Sequence, residues 1–320
     1  MLFPFLMKGK MKTQFYNSEY KGVASVVLEN EKIRATWLPS YGSKLASLIA
    51  KNQSGEQELL FQSDLTELII PSYGSVFSDY DSSGFDECFP TIDSCEWNHQ
   101  NMPDHGEVWA MPWHCEQLLN GSLTFSVYSE KFNYTFSKNI TLDDDSLIST
   151  YQVQLHQSVL SLPFIWTPHA LFRGTATTQF IIPEYMDKIY NVCGGGRLGP
   201  YGCVYDYPIA IKQAMLDLRY LEPKSANNCE KYYFTKKLCA NSLFGFNDNN
   251  IEVRMSVDHH IVPYLGIWKN QGAYKGHYNF AIEPCTGIYD NTAHAYDSKL
   301  CQVVEPNSSI EWNFSIKIKA

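Results

Sequence analysis

The chain has 320 residues, room for one large all-β domain or for two average ones. Its 25 basic residues stand against 34 acidic ones, and the resulting net charge of −9 excludes the positive footprint that nucleic-acid backbones require. Aromatics make up 14% and charged residues only 18%, a balance that favours sheets over helical bundles, and no apolar run reaches the length of a membrane span.

The opening Met1–Met7 is apolar but short, lacks a basic lead-in and a clean cleavage site, and Met11 is an alternative start. Residues 1–20 therefore read as a peripheral extension of a single domain spanning 1–320. Strict two-residue alternation follows at Ile33–Trp37, Leu123–Val127, Leu147–Leu155, Ile251–Val257 and Ile310–Ile318. Such segments bury one face and wet the other, as in antiparallel sandwiches. Turn clusters such as Asn120-Gly121 and Asp143–Asp145 separate them. The best helical candidate is Ile209–Leu221, stopped by Pro223. The predicted fold is thus a large antiparallel β-sandwich with few short helices.

Several motifs lose their sharper reading on inspection. Gly194–Gly199 fits G-x-G-x-x-G, yet Pro200 follows where a dinucleotide site needs a helix to start, so a loop and no nucleotide cofactor are expected. Nine His contain neither H-x-H nor H-E-x-x-H, and His259 and His260 on one strand would face opposite ways, so no metal is expected. Nine Cys, an odd number with no C-x-x-C, include Cys88, Cys285 and Cys301 in apolar stretches. This usage fits a reducing compartment, and the expected location is the cytoplasm.

Three segments carry chemistry. In Met102–Trp109 the turn Pro103-Asp104-His105-Gly106 presents His105 on a loop. In Phe164–Phe172 one ionisable side chain, His169, projects from the strand face opposite Trp166, Ala170 and Phe172. In Asn279–Cys285 a lone carboxylate, Glu283, precedes Pro284, which holds it extended and ends the ladder. Singly, each also fits a satisfied core residue or a strand end. Together, two His and one Glu in apolar settings supply an acid, a base and an orienting group.

These segments resemble the aldose 1-epimerase (galactose mutarotase) family: H-G at His105-Gly106, H-x-x-F at His169–Phe172 and the late Glu283-Pro284. Gly84–Ile92 and Pro39–Leu45 are similar to segments of its bacterial relatives, and the ordered set runs from Ile33 to Trp312. The resemblance implies a galactose mutarotase-like supersandwich and cofactor-free interconversion of sugar anomers. It makes His169 the acid toward the ring oxygen, Glu283 the base toward the anomeric hydroxyl, and His105 a polarising hydrogen-bond partner. The family's mid-chain substrate-binding Asp has no clear counterpart; Asp206 and Asp217 are candidates.

Substrate contacts are expected from Asp86 and Glu87 as paired hydroxyl acceptors and from Trp109, Trp166 and Trp268 as stacking surfaces. Arg173 and Arg197 leave a phosphorylated aldose open, although the chain has only five Arg. The Asp86-Glu87 turn also fits a strand cap, and aromatics are more often core. The alternative reading is a non-catalytic carbohydrate-binding protein, which would tolerate the loss of Glu283. A glycosidase needs a second, opposed carboxylate, for which only Asp86 and Glu87 offer themselves. The expected partner is a small sugar; neither its identity nor the oligomeric state is legible.

Overall fold

The computed structural model describes residues 13–158, 160–211 and 215–320; Met1–Met7 and Met11 lie outside them. Among these residues two antiparallel sheets dominate, one of twelve strands and one of eight. The larger runs in space from Gln14–Tyr20 through Val23–Glu29, Ile33–Leu38 and Lys44–Asn52 to Phe85–Cys88 and Thr167–Arg173. It continues through Tyr278–Cys285, Tyr264–Gln271 and Asn228–Phe234 to Lys188–Asn191 and Val204–Asp206. The smaller is centred on Ile251–Val257, Ser309–Lys319, Ser146–Leu155, Tyr134–Asp143 and Leu123–Ser129. Part of the expected N-terminal extension, Gln14–Tyr20, is an edge strand paired along its length with Val23–Glu29.

The alternation seen in the sequence is the alternation of burial. Trp312, Phe314, Ile316 and Ile318 are buried while Glu311, Asn313, Lys317 and Lys319 are exposed, as a period-two strand with one wet face requires. The inner faces of the two sheets meet through aromatic rings: Trp37 lies 5.8 Å from Phe125, Trp166 6.0 Å from Phe314 and Phe172 4.9 Å from Phe246. These tilted and edge contacts make one continuous sandwich core.

Among the described residues of the helix expected over Ile209–Leu221, none is helical. Ile209–Ile211 and Leu216–Asp217 pair as antiparallel strands. Leu216 and Leu218 are buried on either side of the partly exposed Asp217, so the segment follows the two-residue period rather than the helical one. A six-residue helix lies instead at Thr292–Asp297, capped by the Asn291 side chain accepting from the His294 N–H. His259 and His260 also depart from expectation. Both follow the strand end at Val257 in a turn, with their rings 4.0 Å apart rather than on opposite faces. The glycine-rich segment is a loop, closed by the Gly199 N–H donating to the Gly196 carbonyl at 3.0 Å.

Candidate active site

Because successive side chains alternate across a strand, the central strands that send Ala170, Phe172, Phe280, Ile282, Leu265 and Ile267 into the core send His169, Glu283 and Trp268 to the outer face. The register pairs Leu171 with Ala281, which brings His169 level with Glu283 two residues further on. It also pairs Lys231 with Trp268 across the next two strands. Over this outer face the segments around Phe77, Ile92–His105 and Asp290 raise the walls of a cavity of ≈ 270 Å³. His105, His169, Glu283 and Trp268 all line it, so the structure assembles in one place four residues chosen from distant parts of the sequence.

Both histidines are tied to carboxylates through Nδ1. His169 Nδ1 lies 2.9 Å from Glu283 Oε1, and His105 Nδ1 lies 2.9 Å from Asp104 Oδ1. With the carboxylates ionised each Nδ1 carries the proton, so exchange with a bound molecule runs through Nε2. Asp104 is itself anchored, its Oδ2 accepting the Phe77 N–H at 3.1 Å, and the Phe77 ring stacks on His105 at 4.0 Å. The turn that presents His105 is two consecutive left-handed residues, His105 (φ 57°) and Gly106 (φ 74°). A Cβ at position 106 would fall 2.0 Å from the Phe89 carbonyl oxygen, so only glycine fits there.

The electrostatics centre on Glu283, which is 1% exposed. Burial alone would raise its carboxyl. Lys231, then the hydrogen bond and charge of His169, overcome that and bring it down to about 2. Lys231 Nζ stands 3.5 Å from Glu283 Oε2 and 2.9 Å from Asp290 Oδ1. Burial works against the Lys231 ammonium, but Asp290 and Glu283 more than offset it and raise it above its ordinary value. Asp290 Oδ1 also accepts from the buried Tyr233 hydroxyl. Burial lowers His105 below its ordinary value against the pull of Asp104, which favours the neutral ring.

Asp104, Asp290, Lys231 and Phe77 escaped the sequence reading. The Asp preceding His105 was a visible signal for the first. The others approach only through pairing of distant strands and loops.

Five expected substrate contacts lie outside this cavity. Glu87 is fully buried and accepts from Lys138 Nζ, Tyr151 OH and Trp166 Nε1, each at 2.9 Å. Trp166 is therefore core as well. Asp86 is 1% exposed and held by Lys44 Nζ at 2.5 Å; burial pushes its carboxyl up to about 6 despite that cation. Trp109 is buried behind Phe77 and donates Nε1–H to the Asp104 carbonyl at 3.0 Å. Arg173 is an exposed residue at its strand end and does not line the cavity. The physical reason is common to the first four: apolar neighbours bury each polar group, and a buried polar group must find partners inside. Asp206 pairs with Lys188, Asp217 with Arg219 and Arg197 with Glu222, all away from the cavity. Asp93 and Asp290 are the carboxylates that join Asp104 and Glu283 there.

Among the described residues no three or more His, Cys, Asp or Glu are grouped as ligands for a metal ion, and no helix is long and apolar enough to cross a membrane. No protein-family model matches the chain, and no curated protein matches it in sequence. Solved structures do match it over nearly its whole length. A galactose mutarotase-like protein from Clostridium acetobutylicum is 14% identical with a TM-score of 0.66, covering 97% of this chain and 99% of its own. A galactose mutarotase-related enzyme from Lactobacillus acidophilus is 15% identical with a TM-score of 0.64, covering 96% and 98%. A galactose mutarotase-like protein from Lactobacillus casei is 16% identical with a TM-score of 0.64, covering 92% and 100%. At these identities the likeness establishes the architecture: the chain has the galactose mutarotase-like β-sandwich fold.

Proposed function

We propose that this protein is an aldose 1-epimerase-type isomerase that interconverts the anomers of a free sugar without a cofactor. The observation that carries the reading is the His169–Glu283 pair, an acid–base couple 2.9 Å apart at the cavity wall with Nε2 free of any hydrogen bond within the described chain. In this reaction Glu283 takes the proton of the anomeric hydroxyl while His169 gives one to the ring oxygen, and the C1–O5 bond breaks. Rotation about C1–C2 and reclosure with both transfers reversed yields the other anomer and restores both groups. A carboxylate held near 2 is a weak base in the resting site. As His169 discharges its proton, however, one of the positive charges that depress Glu283 disappears, so the base strengthens as the acid acts. His105, held by Asp104, is placed to hydrogen-bond a sugar hydroxyl, and Trp268 offers a ring face to the C–H side of the pyranose.

The lining favours an unphosphorylated sugar. Asp93, Asp104, Glu283 and Asp290 face one lysine, Lys231, which is already shared between two of them. An anionic substituent would meet mainly carboxylates. Nine free cysteines support a cytoplasmic setting. The test is saturation-transfer NMR of anomer exchange over neutral aldoses and their 6-phosphates, after treatment with chelator. Exchange of a neutral aldose above the spontaneous rate is expected. Binding without exchange would favour a carbohydrate-binding protein instead.

Lys231 should act as a positioning residue through charge. In the native protein Glu283 stays ionised throughout the assay range, because activity tied to a carboxyl near 2 is lost only as pH falls below about 3. The acidic limb of kcat/KM above pH 4 then reports another group. Lys231→Gln removes the largest lowering influence, leaves burial less opposed, and should move the acidic limb from Glu283 to higher pH. A pH–rate profile of both proteins checks this. A purely structural Lys231 would lower the rate at every pH without moving the limb.

A further inference from the structure

We infer that the cavity at His169 and Glu283 is one end of a longer groove built for a neutral reducing oligosaccharide, whose second sugar sits in the adjoining cavity of ≈ 480 Å³ lined by Leu65, Ile69, Tyr80, Lys275 and His277. This rests on the mutarotation reading, since it takes the reducing unit to be the one bound at Glu283.

The two cavities share a wall. Ser82 lines both, with Tyr274 on one side and Lys275 on the other. Its Oγ lies 3.4 Å from the Tyr274 hydroxyl and 3.0 Å from Lys275 Nζ. The direction from one cavity to the other is set by the strand Tyr278–Cys285. Asn279 lies four residues before Glu283 and pairs with Asn270, whose side chain holds the Tyr274 backbone through two bonds of 3.0 Å. At 3.3 Å per residue the offset is about 13 Å, longer than one pyranose ring. In the inferred arrangement a hexose has its anomeric carbon at Glu283 and its opposite edge, where a glycosidic substituent is carried, toward Ser82, the residue that lines both cavities.

The chemistry of that second cavity suits a sugar. Leu65 and Ile69 expose 49% and 78% of their surface beside Tyr80, an apolar platform for a C–H face. Around it stand Ser63, Asp64, Asp79 and His277 as hydroxyl partners, and His277 Nδ1 is buried without a hydrogen bond. Lys275 is spent on the Tyr80 carbonyl and Ser82, while Asp64, Glu67, Asp79 and Asp81 leave the lining acidic. Uronic or phosphorylated units are disfavoured on the same ground.

The experiment compares glucose with cellobiose and maltose in the NMR anomer-exchange assay, using the wild-type chain and the exposed-site double variant Leu65→Ser/Ile69→Ser. The disaccharides should show kcat/KM roughly tenfold or more above glucose. The variant should lose that advantage while its rate on glucose stays unchanged. Disaccharides no better than glucose, or an advantage that survives the variant, would overturn the groove. If no sugar exchanges at all, the mutarotation reading fails on its own and binding decides the groove. Cellobiose titrated by NMR should then bind wild type more tightly than the variant, and equal or absent binding would overturn it.

Discussion

Glu283→Gln is expected to lower kcat for anomer exchange by roughly 10²–10⁴, the usual worth of a positioned acid or base, with little change in KM. The substitution preserves the shape of the side chain and a carbonyl acceptor for His169 Nδ1, which stands 2.9 Å from Oε1 in the native protein. It removes the one group on this face whose charge is sustained by both Lys231 and His169. A Gln beside Lys231 cannot take the anomeric proton, so the ring-opening step loses its base while the walls of the cavity stay in place. His169→Asn should cost a similar factor. The double variant should lose far less than the product of the two, because both act on one concerted step. The measurement is exchange NMR on variants whose circular dichroism and thermal unfolding match wild type. Wild-type turnover by Glu283→Gln would remove Glu283 from the chemistry and move the carbohydrate-binding reading ahead.

The sandwich was legible because its strands have one wet face: Ile310–Ile318 and Leu147–Leu155 alternate in sequence as they do in burial. The same signal misled at Ile209–Leu221, where Leu216, Leu218 and Leu221 satisfy either period over so short a run. His105, His169 and Glu283 were legible as ionisable residues in apolar text, a property local to each segment. Lys231 was not, because nothing around it in Asn228–Phe234 marks it apart from an ordinary strand lysine; its meaning comes from Glu283 and Asp290, 52 and 59 positions away. Asp86 and Glu87 failed in the opposite sense. Two adjacent acids in an apolar strand promised a binding turn, yet adjacent strand residues face opposite ways. Each is claimed by a lysine, Asp86 by Lys44 and Glu87 by Lys138.

That second pairing gives the other large effect. Glu87→Ala is expected to destabilise the fold by about 3–5 kcal/mol, the cost of leaving a buried cation without its partner. Glu87 belongs to the large sheet, while Lys138 and Tyr151 belong to the small one, so the carboxylate is a polar bridge through the sandwich core. Lys138 is 3% exposed, and apart from Glu87 its ammonium is bonded at 3.0 Å to the Ser43 carbonyl. Tyr151 OH and Trp166 Nε1 would lose their acceptor at the same time. Pairing Glu87→Leu with Lys138→Met should recover much of the loss, because a buried ion pair replaced as a unit by apolar groups is often nearly neutral. Urea unfolding of the single and double variants measures this, and anomer exchange below the transition measures the alternative. If Glu87→Ala left stability intact and raised KM instead, the residue would face the sugar after all. A collapse in stability with KM unchanged places its work between the sheets.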